Sequence, residues 1–248
     1  MDGCAAIEKL LRKDDPFFIA GIEFSCADER GKYHILGYGC DPAAPCLRDA
    51  VAYGHSTRMR KLESRLTFLE QRYGFRFTQG EFEQLCRERN PGKPHIVACL
   101  LWKGLIPSSE TGYALFDGYT EPEKMLSPED AVTAILGSGG IPVLAHGILA
   151  DGSASLTPEE TRERISRLFS AGLMGAECFY SGYSERQTEI MLTLSWEAGL
   201  LITAGSDYHG SNKAVRIGDT NGADAALLTT FFACLAERRK HGYCSEYC

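Results

Sequence analysis

The segment "SPEDAVTAILGSGGIPVLAH" (127–146) decides the fold, because it joins a helix with clear end signals to a short apolar strand. Ser127 is suited to the N-cap, Pro128 to the first turn, and the glycines before Ile141 to the end of the helix. The run "IPVLA" then predicts a strand that places His146 at its carboxyl end. The segment is therefore one helix–strand unit of an α/β domain.

Residues 157–207 repeat this order of helix and strand. The segment "TPEETRERISRLFSAG" (157–172) predicts a helix and "GAECFY" (175–180) a strand, followed by a helix over "SERQTEIMLTLSWEAG" (184–199) and a strand over "LLITAGSD" (200–207). Strands and helices that alternate in this way are typical of a parallel sheet, either open or closed into a barrel.

Upstream, two further strands are predicted by "FFIAGIEFS" (17–25) and "KYHILGYG" (32–39), which are short, apolar and rich in aromatic residues. The chain then becomes helical, since "RMRKLESRLTFLEQRYG" (58–74) repeats leucine at helical spacing on one face. We therefore predict an α/β domain formed by residues 1–46 and 127–248, with a helical insertion over residues 47–126.

The composition is that of an ordinary globular protein, with 44% hydrophobic and 24% charged residues in a chain of 248. No apolar run approaches the ~20 residues that a membrane span needs, and we expect no secretory leader. The ten cysteines form no C-x-x-C pair. We expect a cytoplasmic protein with reduced thiols and no membrane partner.

The net charge of −7 argues against stable binding to duplex nucleic acid. Positive charge is nevertheless concentrated between His55 and His95, a segment that contains nine Lys or Arg residues and five Asp or Glu residues. This basic segment has two interpretations: it contacts an anionic substrate, or it is the solvated face of a helix.

Five polar side chains lie at or beside apolar strands, namely Glu23, His34, His146, Asp207 and His209. Functional groups of α/β folds collect at the carboxyl ends of strands, and Asp207 and His209 would point to the same side because strand side chains alternate. Burial without partners would cost several kcal/mol, of order 2–7, for each polar group. Either each group has a hydrogen-bond partner of its own, or the groups share cations such as Mn, Zn or Fe.

The segments "GIEFS", "KYHILGYG", "PVLAH" and "AGSDYHGSNK" occur in an order that resembles the PHP (polymerase and histidinol phosphatase) family of metal-dependent phosphoesterases. The resemblance implies a distorted (β/α)7 barrel with up to three metal ions. It also implies that Glu23 bridges two ions, that His34 and His146 complete the site of one, and that Asp207 and His209 bind the others. Catalysis would involve Glu23, Asp207 and His209, and metal-activated water would hydrolyse phosphate esters of small nucleotides or oligonucleotide ends.

Three residues are candidates for binding the phosphorylated substrate. Lys213 matches the family's "SD-x-H-G-x-x-K" pattern, Arg58 lies early in the insertion, and His95 starts a "PHI" segment that resembles one in this branch. Lys213 and Arg58 could equally be surface residues, and His95 could cap or pack its own helix. Trp102 and Trp196 are interpreted as helix packing residues, although an aromatic residue of the insertion could stack on a base.

The resemblance is incomplete at the front of the chain. The family's opening His-x-His strand and its strand ending in Asp-His have no counterpart here, so we expect an incomplete barrel that lacks its first two strands. We then expect about one bound ion, impaired activity, and an exposed sheet edge that favours self-association. The alternatives are an inactive remnant that binds a metal or a phosphorylated ligand, a histidinol-phosphate phosphatase, and an amidohydrolase-type metalloenzyme.

Overall fold

The computed structural model describes residues 2–15, 17–88, 91–120, 124–150, 154–210 and 214–240. The chain forms two compact units, the first made of residues 1–50 and 126–248 and the second of residues 51–125. No helix in the described part of the chain combines the length and the apolarity that a bilayer crossing requires.

A five-stranded mixed sheet organises the described residues of the first unit. Its strands follow one another in chain order: β1 (Gly21–Asp28), β2 (Gly31–Tyr38), β3 (Ile141–Ala145), β4 (Gly175–Tyr180) and β5 (Leu201–Gly205). The parallel pairing predicted from the helix–strand repeats is confirmed for β3, β4 and β5. In contrast, β1 and β2 form an antiparallel hairpin, and β2 is also antiparallel to β3. The closed (β/α)7 barrel stays a prediction.

Three helices of the first unit begin where the capping residues indicated, namely α6 (Pro128–Gly137), α7 (Pro158–Ser170) and α8 (Glu185–Glu197). The described residues of this unit also form α1 (Asp2–Glu8) and α9 (Thr229–Lys240). The side chains of Ser127, Thr157 and Ser184 each accept a hydrogen bond from the backbone N–H three residues later. These bonds satisfy donors that a helix start leaves unpaired, which explains why the sequence located the starts accurately.

The predicted first strand begins four residues too early. Strand β1 starts at Gly21, and Phe17 leaves 67% of its surface exposed. The Phe17 ring lies 4.9 Å from the guanidinium of Arg239 in α9, so this aromatic residue contacts the closing helix and is not part of the sheet. The apolar run at 17–20 was therefore wrongly assigned to a strand.

The second unit is helical and has its own core. It contains most of α2 (Pro45–Tyr73) together with α3 (Gln79–Arg87), α4 (Lys93–Trp102) and α5 (Ser109–Ala114). The predicted leucine face of α2 packs against α4, in a cluster that includes Leu62, Leu66, Leu69, Ile96 and Leu100. This shared apolar contact is the reason why the segment folds as a unit.

The interpretation of Trp102 and Trp196 as packing residues was wrong. Trp102 is the last residue of α4 and is 82% exposed, and Trp196, near the end of α8, is 58% exposed. Large aromatic residues usually bury most of their surface, but the neighbouring leucines at helical spacing fill the cores instead.

Candidate metal centre

The β1–β2 hairpin places Glu23 and His34 on the same face of the sheet. Phe24 on β1 and Ile35 on β2 are buried on the opposite face, so the alternation of strand side chains turns Glu23 and His34 toward the open side. Ser25 pairs directly with His34, and Glu23 is therefore its diagonal neighbour. The His34 Nδ1 lies 2.9 Å from Glu23 Oε1.

Antiparallel pairing brings His146 to this hairpin. His34 is in register with Ala145, the last residue of β3, and His146 follows immediately. The rule that functional groups follow strand ends holds for His146 and for Asp207, which lies two residues beyond β5. It fails for Glu23, the third residue of β1, because a residue within an antiparallel hairpin can also lie level with the ends of the parallel strands.

The first group of candidate ligands consists of Glu23, His34 and His146. The His34 Nδ1 lies 3.1 Å from the Nε2 of His146, and this Nε2 lies 3.9 Å from Glu23 Oε1. Two imidazole nitrogens and a carboxylate oxygen thus converge within 4.8 Å of one another, which is the donor chemistry that Zn, Mn and Fe accept. Burial raises the pKa of Glu23, but the neighbouring imidazole groups of His146 and His34 outweigh it and hold that pKa well below its usual value.

The second group of candidate ligands consists of Glu23, Asp207 and His209, whose ligand atoms also lie within 4.8 Å of one another. The Nδ1 of His209 is 2.9 Å from Asp207 Oδ1 and 2.8 Å from the Asp207 carbonyl oxygen. Glu23 is common to both groups. Its role as a bridging ligand stays a prediction. His209 is half exposed and keeps this side of the centre open to solvent.

Backbone strain coincides with the candidate ligands. Among the described residues, the non-glycine residues with positive φ are His146 (33°), Asp207 (52°) and Asn221 (51°). Such conformations cost roughly 1–3 kcal/mol each and persist only where the surroundings impose them, often at functional sites. At His146 and Asp207 the chain leaves the sheet abruptly, which directs both side chains into the centre.

Sequence reasoning missed two side chains of β4, Glu177 and Tyr180. Glu177 is 3% exposed and accepts a hydrogen bond from the backbone N–H of His146 at 2.9 Å. The Tyr180 hydroxyl donates to Asp207 Oδ2 at 3.3 Å, and the Tyr180 ring lies 5.3 Å from the ring of His146. Burial and the charge of Asp207 raise the pKa of Tyr180 to about 12, so the phenol keeps its proton at neutral pH.

A register shift in β4 makes this arrangement possible. Glu177 and Tyr180 are three residues apart, and a regular strand would send their side chains to opposite faces. The pairing with β5 shifts between Glu177 and Phe179, which resets the alternation, and both side chains then contact residues of the centre. A buried glutamate inside the apolar run "GAECFY" was the available signal, because a buried carboxylate requires a partner.

Arg164 of α7 supports the segment that follows His146. Its Nη1 donates to the carbonyl oxygens of Gly147 and Leu149 at 3.4 and 3.2 Å, and its guanidinium lies over the ring of Tyr33 at 4.3 Å. Tyr33 is the neighbour of His34 on the buried face of β2. Arg164 therefore contacts residues that adjoin two candidate ligands, namely the segment after His146 and Tyr33, which precedes His34.

Two of the three residues predicted to bind substrate, Arg58 and His95, belong to the second unit. Arg58 belongs to the helical second unit, where burial and the neighbouring Arg65 lower its pKa. His95 lies in the same unit and caps α4, since its Nδ1 accepts a hydrogen bond from the Gly92 N–H at 3.2 Å. Its Nε2 lies 3.7 Å from Glu88. Lys213 lies outside the described residues.

A mixed α/β sheet with carboxylate and imidazole groups converging at one end is an arrangement that suits metal-dependent hydrolases. A comparison with protein-family models gives no match. The phosphoribosyl 1,2-cyclic phosphate 1,2-diphosphodiesterase of Eggerthella lenta is 31% identical over 219 residues, covering 84% of this chain and 79% of the relative. The 3',5'-nucleoside bisphosphate phosphatase of Chromobacterium violaceum is 27% identical over 207 residues, covering 80% and 70%.

A solved structure of a Bifidobacterium adolescentis protein assigned as a metal-dependent phosphoesterase shares the fold. It superposes with a TM-score of 0.70 at 24% sequence identity, covering 93% of this chain and 79% of that one. The chain belongs to the PHP family of metal-dependent phosphoesterases, and so to the hydrolases that act on phosphate esters. The resemblance inferred from the sequence is thereby confirmed.

Proposed function

We propose that this protein hydrolyses phosphate monoesters or diesters of small nucleotides, with divalent ions held by Glu23, His34, His146, Asp207 and His209. The observation that carries the proposal is the convergence of two ligand groups on one carboxylate, Glu23. When bound, a divalent ion lowers the pKa of water from 15.7 toward ~7 and neutralises developing charge on the phosphate. Mn, Zn and Fe all suit this donor set.

The two ligand groups differ in the burial of their histidines and in the support that these histidines receive. His146 leaves only 12% of its side chain exposed and is supported through its backbone, whereas His209 is 50% exposed. We therefore expect about one tightly bound ion per chain, at Glu23, His34 and His146, and weaker binding at Asp207 and His209. The open side at His209 is where a phosphate group could approach.

A nucleotide substrate is supported by one of the relatives described above, the 3',5'-nucleoside bisphosphate phosphatase. The other relative acts on a phosphoribosyl cyclic phosphate, which supports a small phosphorylated substrate more generally. Arg58 fits an anionic ligand, because burial next to Arg65 concentrates positive charge in the second unit. His95 is the weaker candidate, since its ring nitrogens already face Gly92 and Glu88. Lys213 is proposed on its sequence pattern alone.

The test is a titration of the EDTA-treated protein with MnCl2, followed by phosphate release from 3',5'-adenosine bisphosphate, a 5'-phosphorylated oligonucleotide and histidinol phosphate. We expect saturable manganese binding, manganese-dependent hydrolysis of the first two substrates, and loss of activity when EDTA is restored. A preference for histidinol phosphate would indicate instead that the protein is a histidinol-phosphate phosphatase. Tight manganese binding without turnover of any substrate would support the inactive, ligand-binding alternative.

A further inference from the structure

Strand β4 provides none of the candidate ligands, yet its carboxylate Glu177 lies between two strands that do. One carboxylate oxygen, Oε2, accepts the backbone N–H of His146 at the end of β3. The other oxygen, Oε1, faces Gly205 at the end of β5, where an added Cβ atom would lie only 2.2 Å from it. The carboxylate therefore touches the backbone of both neighbouring strands at the point where they enter the metal centre.

This contact explains why residue 205 is a glycine. No side chain fits there while the Glu177 carboxylate holds its place, because non-bonded heavy atoms do not approach to 2.2 Å. Gly205 pairs with Tyr180 in the sheet and is followed two residues later by Asp207. A buried carboxylate and a glycine on adjacent strands thus form one packed pair beside the ligands.

The acceptor role of Glu177 matters because of the conformation of His146. The residue has φ of 33°, a region that residues other than glycine rarely adopt, and it needs support from its surroundings. A hydrogen bond from its own N–H to the buried carboxylate of Glu177 supplies that support directly. His146 in turn directs its Nε2 toward His34 and Glu23.

We infer that Glu177 is a positioning residue of the metal centre. Its carboxylate holds the strained backbone of His146, and Gly205 leaves the space that this carboxylate occupies. The inference deepens the proposed function and rests on the proposed ligand set. It assigns Glu177 no contact with the ion: its effect on metal binding passes through His146.

The experiment combines Glu177→Ala, Glu177→Gln and Gly205→Ala with the double variant Glu177→Ala/Gly205→Ala, measured by MnCl2 titration and by thermal unfolding in EDTA. Glu177→Ala and Gly205→Ala should each weaken manganese binding by roughly 10–100-fold, as expected for lost support of a ligand. Glu177→Gln keeps an oxygen acceptor and should stay close to the wild type. In the Glu177→Ala background, Gly205→Ala should have little further effect on either measurement, because the new methyl group meets no carboxylate.

Thr203→Val is the matched control, since Thr203 is a buried neighbour that pairs with Glu177 and donates to the Ala176 carbonyl at 3.3 Å. It should lower the unfolding temperature and leave manganese affinity unchanged. Additive effects of Glu177→Ala and Gly205→Ala would mean that the two residues act independently, and would overturn the inference that they form a packed pair. A Glu177→Gln protein as impaired as Glu177→Ala would overturn the positioning role, because it would indicate that the charge acts on the ion.

These outcomes are distinguishable from failure of the proposed function. If the wild-type protein binds no manganese, the proposed metal centre fails, although coupling between Gly205 and Glu177 in the metal-free unfolding experiment would still establish the packed pair. If the wild type binds manganese and Glu177→Ala binds it equally well, the inference is wrong and the proposed function stands.

Discussion

Glu23→Ala is expected to abolish detectable manganese binding at both ligand groups and to lower phosphoester hydrolysis by more than about 100-fold. The carboxylate is shared by the two groups, so a single substitution removes a donor from each. Loss of a hydrogen-bond partner of a ligand typically costs roughly 10–100-fold, and loss of the shared ligand itself should exceed this range. Manganese titration of the metal-free protein is the primary measurement, with phosphate release from 3',5'-adenosine bisphosphate as the second.

Glu163→Ala is the matched control, because it removes one carboxylate of the same unit with the same change in net charge. Glu163 is 68% exposed at its side chain and forms a surface ion pair with Arg30 at 2.9 Å, an interaction that contributes little. The control should bind manganese as the wild type does. If Glu23→Ala also retained wild-type affinity, Glu23 could not be the ligand common to the two groups.

Local chemistry explains which parts of the fold the sequence predicted. The helices that start at Pro128 and Pro158 are each preceded by a hydroxyl side chain that accepts the backbone N–H three residues later, and this bond forms within one short segment. Strand β3 is a continuous apolar run because both of its faces are covered. Such features depend on neighbours in the chain, so they can be predicted without the tertiary structure.

Features that depend on pairing between distant segments could not be predicted in this way. The five candidate ligands were selected because polar groups beside apolar strands need partners, but the proximity of His34 and His146 arises from the antiparallel register of β2 and β3. Glu177 met the same criterion, as a carboxylate inside an apolar strand, and was overlooked. Tyr180 joins it on one face only because of the register shift in β4. Nothing in "GAECFY" alone indicates that shift.

Exposure was predicted less well than secondary structure. Trp102 was expected to pack because it ends an apolar helix, yet Leu100 and Ile96 fill that core and Trp102 remains 82% exposed. Helical periodicity identifies a face, but the last turn of a helix can extend beyond the element against which that face packs. The exposed indole lines a cavity of about 420 Å³ with His95 and Glu88, within the second unit.

Leu100→Ala is expected to destabilise the second unit by roughly 2–5 kcal/mol, because it removes a fully buried side chain from the core shared by α2 and α4. Manganese affinity should not change, since all five candidate ligands belong to the first unit. If Arg58 or His95 contacts the substrate, the same substitution should raise KM for 3',5'-adenosine bisphosphate at temperatures where the second unit begins to unfold. Chemical denaturation followed by circular dichroism, together with manganese titration, measures both effects.

Leu105→Ala provides the comparison, because Leu105 lies just beyond α4 and is 40% exposed. Its truncation should change stability by no more than about 0.5 kcal/mol, as is usual for surface positions. A loss of manganese binding in Leu100→Ala under conditions where the first unit remains folded would mean that the second unit also supplies a ligand. In that case the metal centre could not be a property of the sheet and its hairpin alone.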